Sequence, residues 1–227
     1  MLFMVLGRGK TGSLVAQVAH DRGHSVRVVG EEENRNAAAL TAPVLAGFDA
    51  IIDFTSPEAA VQNMRACLAT GARMVVGTTG WYQHLNDMKA LAERRGGALL
   101  YSSNFSIGVQ ALFKVARELA AAAPGYRFSI TETHHATKKD APSGTALSLK
   151  RIIEAAHPGT DVEIASNREG DVAGIHEVEA RSDNDVITLR HEAQSRRAFA
   201  EGAVRASEWI AGKTGCWDFE EILGKLD

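Results

Sequence analysis

Fifteen residues, Glu132-Thr-His-His-Ala-Thr-Lys-Lys-Asp-Ala-Pro-Ser-Gly-Thr-Ala146, gather two histidines, two lysines and a Pro-Ser-Gly-Thr helix start. Histidine is the side chain that exchanges a proton near neutral pH. Adjacent histidines on an extended segment point to opposite sides, so His134 and His135 do not share a role. Ser143, Gly144 and Thr145 open a helix, which leaves backbone N–H groups and hydroxyls for a carboxylate or phosphate. Lys138 adds a full positive charge and a proton donor. Together these residues could bind a small acidic molecule and protonate it. A lone histidine is more often structural, but cations and a helix-opening turn within ten residues favour a functional segment. No metal is expected: His-His is not a chelating spacing, and no cysteine or carboxylate set nearby completes a shell.

A second constellation lies at the N-terminus. The apolar run Leu2–Leu6 leads into Gly7-Arg-Gly-Lys-Thr-Gly12, and Leu14, Val15, Val18 and Ala19 then recur at helical spacing. Ser25–Val29 is the next strand, with Glu31 just beyond it. Gly7, Gly9 and Gly12 provide a tight turn, close approach of the backbone to a pyrophosphate and close helix–strand packing, with Arg8, Lys10 and Thr11 between them. Glycine accounts for 21 of the residues, so the bare pattern is weak; its strand–turn–helix–strand–acid setting makes it specific. Glu31 would accept hydrogen bonds from an adenine-ribose diol and repel a 2′-phosphate, whereas Arg8, Lys10 and Arg35 could offset that repulsion. The balance leans to NADH, with NADPH also possible.

The elements that position these groups follow from periodicity. Strands at Ala50–Asp53, Arg73–Gly77 and Ala98–Tyr101 alternate with helices at Pro57–Thr70 and Leu85–Arg95, the pattern of a parallel sheet covered on both faces. Ligands of such sheets sit at the carboxyl ends of the strands. Those ends carry the glycine loop, Asp53–Thr55, Gly77-Thr78-Thr79-Gly80 and Ser102-Ser103-Asn104-Phe105. Beyond Asn104 the texture changes. A helix over Ile107–Ala123 precedes an alternating strand, Arg127–Thr133, which delivers the two histidines. A helix over Thr145–His157 and strands at Asp161–Ser166, Gly174–Ala180 and Val186–Glu192 complete an open sheet with no sign of βαβ repetition. Val178 and Ile187 are apolar positions expected to need cover from another copy of the chain. Helical spacing returns from Arg197, and Asp218–Leu226 reads as a short terminal helix.

The fold class is therefore α/β: a Rossmann-like doubly wound parallel sheet with an inserted α+β domain built on an open mixed sheet. Residues 1–104 plus 197–227 form the dinucleotide-binding domain, and 105–196 the substrate-binding and oligomerisation domain. At 227 residues the chain can bury a sizeable core. A net charge of −3 gives no basic footprint for nucleic acid, and no apolar run approaches the roughly 20 residues needed to span a bilayer. Met1–Leu6 reads as a buried strand, not a signal peptide. Cys67 and Cys216 have no metal-ligand spacing, and a reducing cytoplasm is the expected location.

Glu132–Ala146 resembles the signature segment of the dihydrodipicolinate reductase (4-hydroxy-tetrahydrodipicolinate reductase) family. The resemblance extends through Ile52-Asp-Phe-Thr55, Gly77–Gly80, Asn104–Val109, Arg168–His176 and Phe199–Arg205, nearly the whole chain. It implies NAD(P)H-dependent reduction of 4-hydroxy-tetrahydrodipicolinate to tetrahydrodipicolinate, in diaminopimelate and lysine biosynthesis. It further implies that His134 is the catalytic acid–base residue and Lys138 a proton donor, with His135, Lys138, Gly144 and Thr145 on the substrate carboxylates. The glycine loop, Glu31, Gly77-Thr78-Thr79 and Ser102–Phe105 would line NADH or NADPH, and the chain would be a homotetramer. One departure is the compact glycine loop, where many members have Gly-x-x-Gly-x-x-Gly. Two rivals remain: a Rossmann dehydrogenase for another amino-acid-derived dicarboxylate, and a nucleotide-binding sensor without catalysis. The first would not need the full Lys-x-Asp-Ala-Pro-Ser-Gly-Thr run, and the second would tolerate loss of His134 and Lys138.

Overall fold

The run Leu2–Leu6 is strand β1, and from Phe3 onward it is fully buried. This is expected of a strand with helices on both faces. In the computed structural model, which describes residues 1–226, the chain then alternates through helix α1 (Lys10–Asp21), β2 (Ser25–Val29), the short α2 (Ala42–Leu45) and β3 (Ala50–Asp53). It continues through α3 (Pro57–Ala69), β4 (Arg73–Val76), α4 (Leu85–Arg95) and β5 (Ala98–Tyr101). Local chemistry fixes the helix ends. Ser56 caps α3 by accepting from the Ala59 N–H at 3.3 Å, with Pro57 in the first turn. Gly96, in the left-handed region at φ +64°, stops α4.

The second unit, Ile107–Arg196, holds α5 (Ile107–Ala122), β6 (Arg127–His134), α6 (Gly144–Ala156), β7 (Glu163–Arg168), β8 (Ile175–Arg181) and β9 (Val186–Glu192). Its four strands lie in the order β7-β6-β8-β9. β6 and β8, and β8 and β9, are antiparallel, but β6 and β7 are parallel and joined by α6. This one βαβ crossover is not repeated, in keeping with the expected mixed sheet. The strand at β7 is only partly covered and carries Ala165, Ser166 and Asn167, so composition alone does not show its direction. Period-two alternation on β6 buries Phe128, Ile130, Glu132 and His134 on one face. Phe128, Ile130, Val178 and Ala180 pack with Leu112, Phe113, Leu149 and Ile153 of α5 and α6. Val178 is 0% exposed within its own chain, so it needs no second copy, whereas Ile187 is 38% exposed.

The chain then returns to the first unit through α7 (Arg197–Ile210) and β10 (Gly215–Asp218). β10 pairs in parallel with β5, giving a six-stranded sheet in the order β10-β5-β4-β3-β1-β2. Periodicity does not reveal this sixth strand. Its residues Gly-Cys-Trp-Asp neither alternate nor form an apolar run, and all four are half-buried at an edge. Asp218–Leu226, read as a helix, is one residue of β10 followed by 3-10 turns over Phe219–Lys225; Asp227 lies outside the described residues. α7 is tied to α1 and its following turn by Glu208, which accepts from both Arg22 and His24, and by the Arg197–Asp21 pair at 2.8 Å. The chain leaves β1 toward β2 on one side and β3 on the other, which makes the carboxyl ends of β1 and β3 the topological switch point.

Candidate active site

At that switch point the backbone approaches itself as closely as it can. Gly7 has φ +102°, a value that favours glycine, and its N–H donates to the Val29 carbonyl at 3.0 Å. A Cβ on Gly12 would overlap the Gly7 carbonyl oxygen. α1 begins immediately, with Gly9 as its N-cap and no side chain capping it. The first helical N–H groups, from Lys10 to Gly12, are therefore the ones a helix cannot satisfy internally. They line a cavity of about 310 Å³, together with Gly9, Phe54, Thr55, Pro57, Gly77, Thr78 and Thr79. Its wall of small residues around a helix N-terminus suits a phosphate group. These residues fit the diphosphate of a dinucleotide.

Beneath the cavity lies Asp53, 0% exposed. It accepts from Asn63 Nδ2 at 2.7 Å, Thr55 Oγ1 at 2.7 Å and Thr78 Oγ1 at 2.8 Å. Burial pushes its carboxyl up, against the pull of those three hydrogen bonds. Asn63 in turn accepts from Asn34 at 2.8 Å, so the turn after Glu31 is tied to the cavity floor.

The other nominated cofactor residues lie elsewhere in this unit. Arg8 is exposed and runs along Gly30, where its Nε stands 3.2 Å from the position of a Cβ. Its guanidinium lies 3.7 Å from Glu33, which also pairs with Arg27 at 2.6 Å. Glu31 is exposed beside them. Ser102 and Asn104 are buried, bonded to each other through Ser102 Oγ, and the Phe105 ring packs on Phe219 with centroids 4.7 Å apart. Only Ser103 of that group is exposed. None of Ser102–Phe105 lines the cavity, and the Phe105 ring belongs to the core.

In the second unit, β6 ends by burying His134 against Glu132, and β8 brings in His176. Glu132 is 0% exposed. Its Oε1 accepts from the Ser143 N–H at 3.0 Å, Ser166 Oγ at 2.9 Å and Arg168 at 3.4 Å; its Oε2 accepts from the same Ser143 N–H at 3.2 Å. Burial pushes this carboxyl up, but the hydrogen bonds from Ser143 and Ser166 and the neighbouring His134 hold it below its ordinary value. It stays ionised at neutral pH. His134 Nδ1 lies 3.6 Å from Oε2, and its ring meets that of His176 edge-on with centroids 5.1 Å apart. Burial lowers the His134 pKa; Lys138 and Arg168 act in the same direction, and Glu132 against them.

His176 is pushed down to about 4, chiefly by burial and then by the positive charge of His134. Folding therefore favours its neutral form. From its ordinary value near 6.5 down to about 4, the unfolded chain binds the extra proton and the native chain does not, so stability falls with pH across that window. The loss assigned to this site is on the order of 3 kcal/mol. Urea midpoints at pH 7 and pH 4.5 should fall less for His176→Asn than for the parent; equal falls would show that another group carries the dependence.

The structure places the nominated substrate residues unequally. Gly144 is exposed, with open space where a Cβ would stand, and Thr145 is half-buried beside it in the first turn of α6. Ser143 is engaged within the protein. Its N–H goes to Glu132 and its Oγ accepts from the Ala146 N–H at 3.2 Å and lies 3.3 Å from His176 Nε2. At 3% exposed, it anchors the turn. Lys138 Nζ is paired with both Asp140 oxygens at 2.8 Å. His135 is half-buried, with Nδ1 2.8 Å from Thr137 Oγ1 and Nε2 3.5 Å from Arg196.

Glu132, His176 and Arg168 were not singled out from sequence. A usable signal existed for the first: Glu132 is two residues before His134, hence on the same inward face of an alternating strand. Donor atoms of Glu132, His134 and His176 lie within 4.8 Å of one another, a spacing that a metal ion could use. Against that, the carboxylate already accepts from Ser143, Ser166 and the Arg168 guanidinium, and Lys138 adds a second cation to the neighbourhood. This electrostatic setting favours an acid–base cluster over a cation site.

Comparison with known proteins is consistent across the chain. A family model described as "Dihydrodipicolinate reductase, N-terminus" matches residues 1–105, and one described as "Dihydrodipicolinate reductase, C-terminus" matches residues 108–223. A 4-hydroxy-tetrahydrodipicolinate reductase of Natronomonas pharaonis is 38% identical over 95% of this chain and 96% of its own length. One of Christiangramia forsetii is 32% identical over 100% of this chain and 99% of its own. Among solved structures, a dipicolinate-bound dihydrodipicolinate reductase from Paenisporosarcina sp. TG-14 superposes with a TM-score of 0.82 at 24% identity. It covers 98% of this chain and 99% of its own.

Proposed function

The chain belongs to the dihydrodipicolinate reductase family, and on that premise we propose how its residues divide the work. The protein is an NAD(P)H-dependent oxidoreductase that reduces 4-hydroxy-tetrahydrodipicolinate to tetrahydrodipicolinate, a step of diaminopimelate and lysine biosynthesis. Its balance is one hydride and one proton taken up and one water released. The nicotinamide cofactor supplies the hydride. The first unit is the dinucleotide-binding domain: the N–H groups of Lys10–Gly12 and the small residues Gly77–Thr79 hold the diphosphate, and Glu31 lies on the adenosine side. The second unit, with its four-stranded sheet, is the substrate domain.

Within it, Gly144 and Thr145 present the start of α6 to one substrate carboxylate, and Lys138 and His135 contact the other polar groups. A carboxylate entering this loop replaces Asp140 as the partner of Lys138, exchanging one ion pair for another. His134 gives the proton as general acid. The observation that carries this reading is the placing of His134, a buried imidazole 3.6 Å from an ionised carboxylate, at the mouth of that loop. We further propose a homotetramer joined through the sheet face opposite α5 and α6, where Arg190 pairs with Glu192 and Arg181 with Glu179. Two free cysteines accord with a cytoplasmic setting. No described helix is long and apolar enough to cross a membrane.

The test follows nicotinamide absorbance while 4-hydroxy-tetrahydrodipicolinate is generated in situ from pyruvate and aspartate semialdehyde. Oxidation dependent on both the protein and the condensation product is expected. No oxidation with either NADH or NADPH would sink the assignment, and oxidation with an unrelated dicarboxylate alone would favour the rival dehydrogenase.

A further inference from the structure

A carboxylate with no exposure needs a reason, because burying a charge is costly unless every acceptor is satisfied. Glu132 meets that condition through three residues on two elements: Ser143 at the head of α6, and Ser166 and Arg168 on β7. These bonds hold the carboxylate still and ionised. Its Oε2 is the oxygen left facing the histidines, 3.6 Å from His134 Nδ1 and 3.9 Å from His176 Nε2. His134 Nδ1 is buried and has no hydrogen-bond partner. A donor nitrogen just beyond bonding distance of a fixed carboxylate closes onto it when the ring gains a proton. The other ring nitrogen, Nε2, stands 3.2 Å from where a Cβ on Gly174 would be, so only glycine there keeps that side of the ring clear.

We infer that Glu132 is a positioning residue for the reaction: its carboxylate stabilises protonated His134 through Nδ1, leaves Nε2 to deliver the proton, and anchors the Ser143 turn that presents Gly144 and Thr145. One carboxylate thus ties the proton donor to the substrate-binding turn. The inference rests on the reading of His134 as that donor. The charges around His134 come from every neighbouring element. Glu132 on its own strand and Asp140 in the loop favour the imidazolium. Lys138 in the loop, Arg168 on β7 and His176 on β8 oppose it, with His191 on β9 behind His176. Among these, Glu132 is the closest anion and is fully buried.

The experiment compares pH profiles of kcat/KM for the parent, Glu132→Gln, Ser143→Ala and His134→Gln. Glutamine keeps an oxygen for the Ser143 N–H but removes the charge. Activity that needs protonated His134 falls as pH rises through its pKa; in Glu132→Gln that limb should move down by about one pH unit or more. kcat at pH 7 should drop about tenfold, with KM nearly unchanged. Ser143→Ala should raise KM and leave the limb where it is. A limb that stays in place in Glu132→Gln, with only KM or Tm altered, would make Glu132 merely structural and overturn the inference. If Glu132→Gln does not fold, nitrogen-15 NMR of the parent's histidine rings decides. A downfield Nδ1 proton on His134 at low pH supports the contact with Glu132, and its absence refutes it. A limb that persists unshifted in His134→Gln would instead remove His134 as the donor, whatever Glu132 does.

Discussion

Replacing His134 with Gln is expected to lower kcat by about 10²–10⁴-fold, the range ascribed to a positioned general acid, while the affinity for NADH stays near that of the parent. Glutamine approximates the reach and polarity of the imidazole but cannot carry and release the proton. Burial keeps the ring mostly neutral in the free protein, and Glu132 opposes that trend from 3.6 Å. A dianionic substrate adds two further negative charges nearby, so the ring becomes a better proton holder in the complex than in the free protein. The cavity at the glycine loop, proposed for the cofactor, is lined by residues of the first unit and does not include His134. Stopped-flow measurement of nicotinamide oxidation, paired with NADH titration, separates the two effects. A kcat within a few-fold of the parent would take the proton-donating role away from His134; a large loss of NADH affinity would place it at the cofactor instead.

The features legible in the sequence were those that repeat or that concentrate unusual residues. β1, β3, β4 and β5 are short apolar runs because they are covered on both sides, and each falls where its run lies. The glycine loop is readable because a Cβ at Gly7 or Gly12 would overlap backbone. What escaped was set by partners distant in sequence. β10 is a strand only because β5 offers it an edge. The parallel pairing of β6 with β7 depends on where α6 returns the chain, which no alternation records. Nothing in a Pro-Ser-Gly-Thr turn reveals that a glutamate eleven residues earlier takes the Ser143 N–H. His176 and Arg168 reach the site from separate strands, 42 and 34 residues after His134 in the chain. Local spacing finds groups carried on one segment; it does not find a cluster assembled across a sheet.

The second large effect is expected at Gly12. A methyl group there would overlap the Gly7 carbonyl oxygen, and both partners are fixed. Gly7 is held by its N–H bond to Val29, and Gly12 is buried in the first turn of α1. Gly12→Ala can be accommodated only by moving the end of β1 away from the start of α1, which shifts the N–H groups of Lys10–Gly12 relative to the cavity. A lost hydrogen bond to a charged group costs about 1.5–3 kcal/mol, so NADH affinity should fall about tenfold or more, together with a lower Tm. Gly9→Ala separates the two consequences. No atom lies within 4 Å of a Cβ at Gly9, and the residue lines the cavity. Its methyl group would therefore enter the space assigned to the diphosphate without straining the protein. Fluorescence titration with NADH should show weakened binding for Gly9→Ala at an unchanged Tm, and weakened binding with a lowered Tm for Gly12→Ala. If both variants bind NADH as the parent does, the cavity at the β1–β3 switch point is not where the cofactor's phosphates sit.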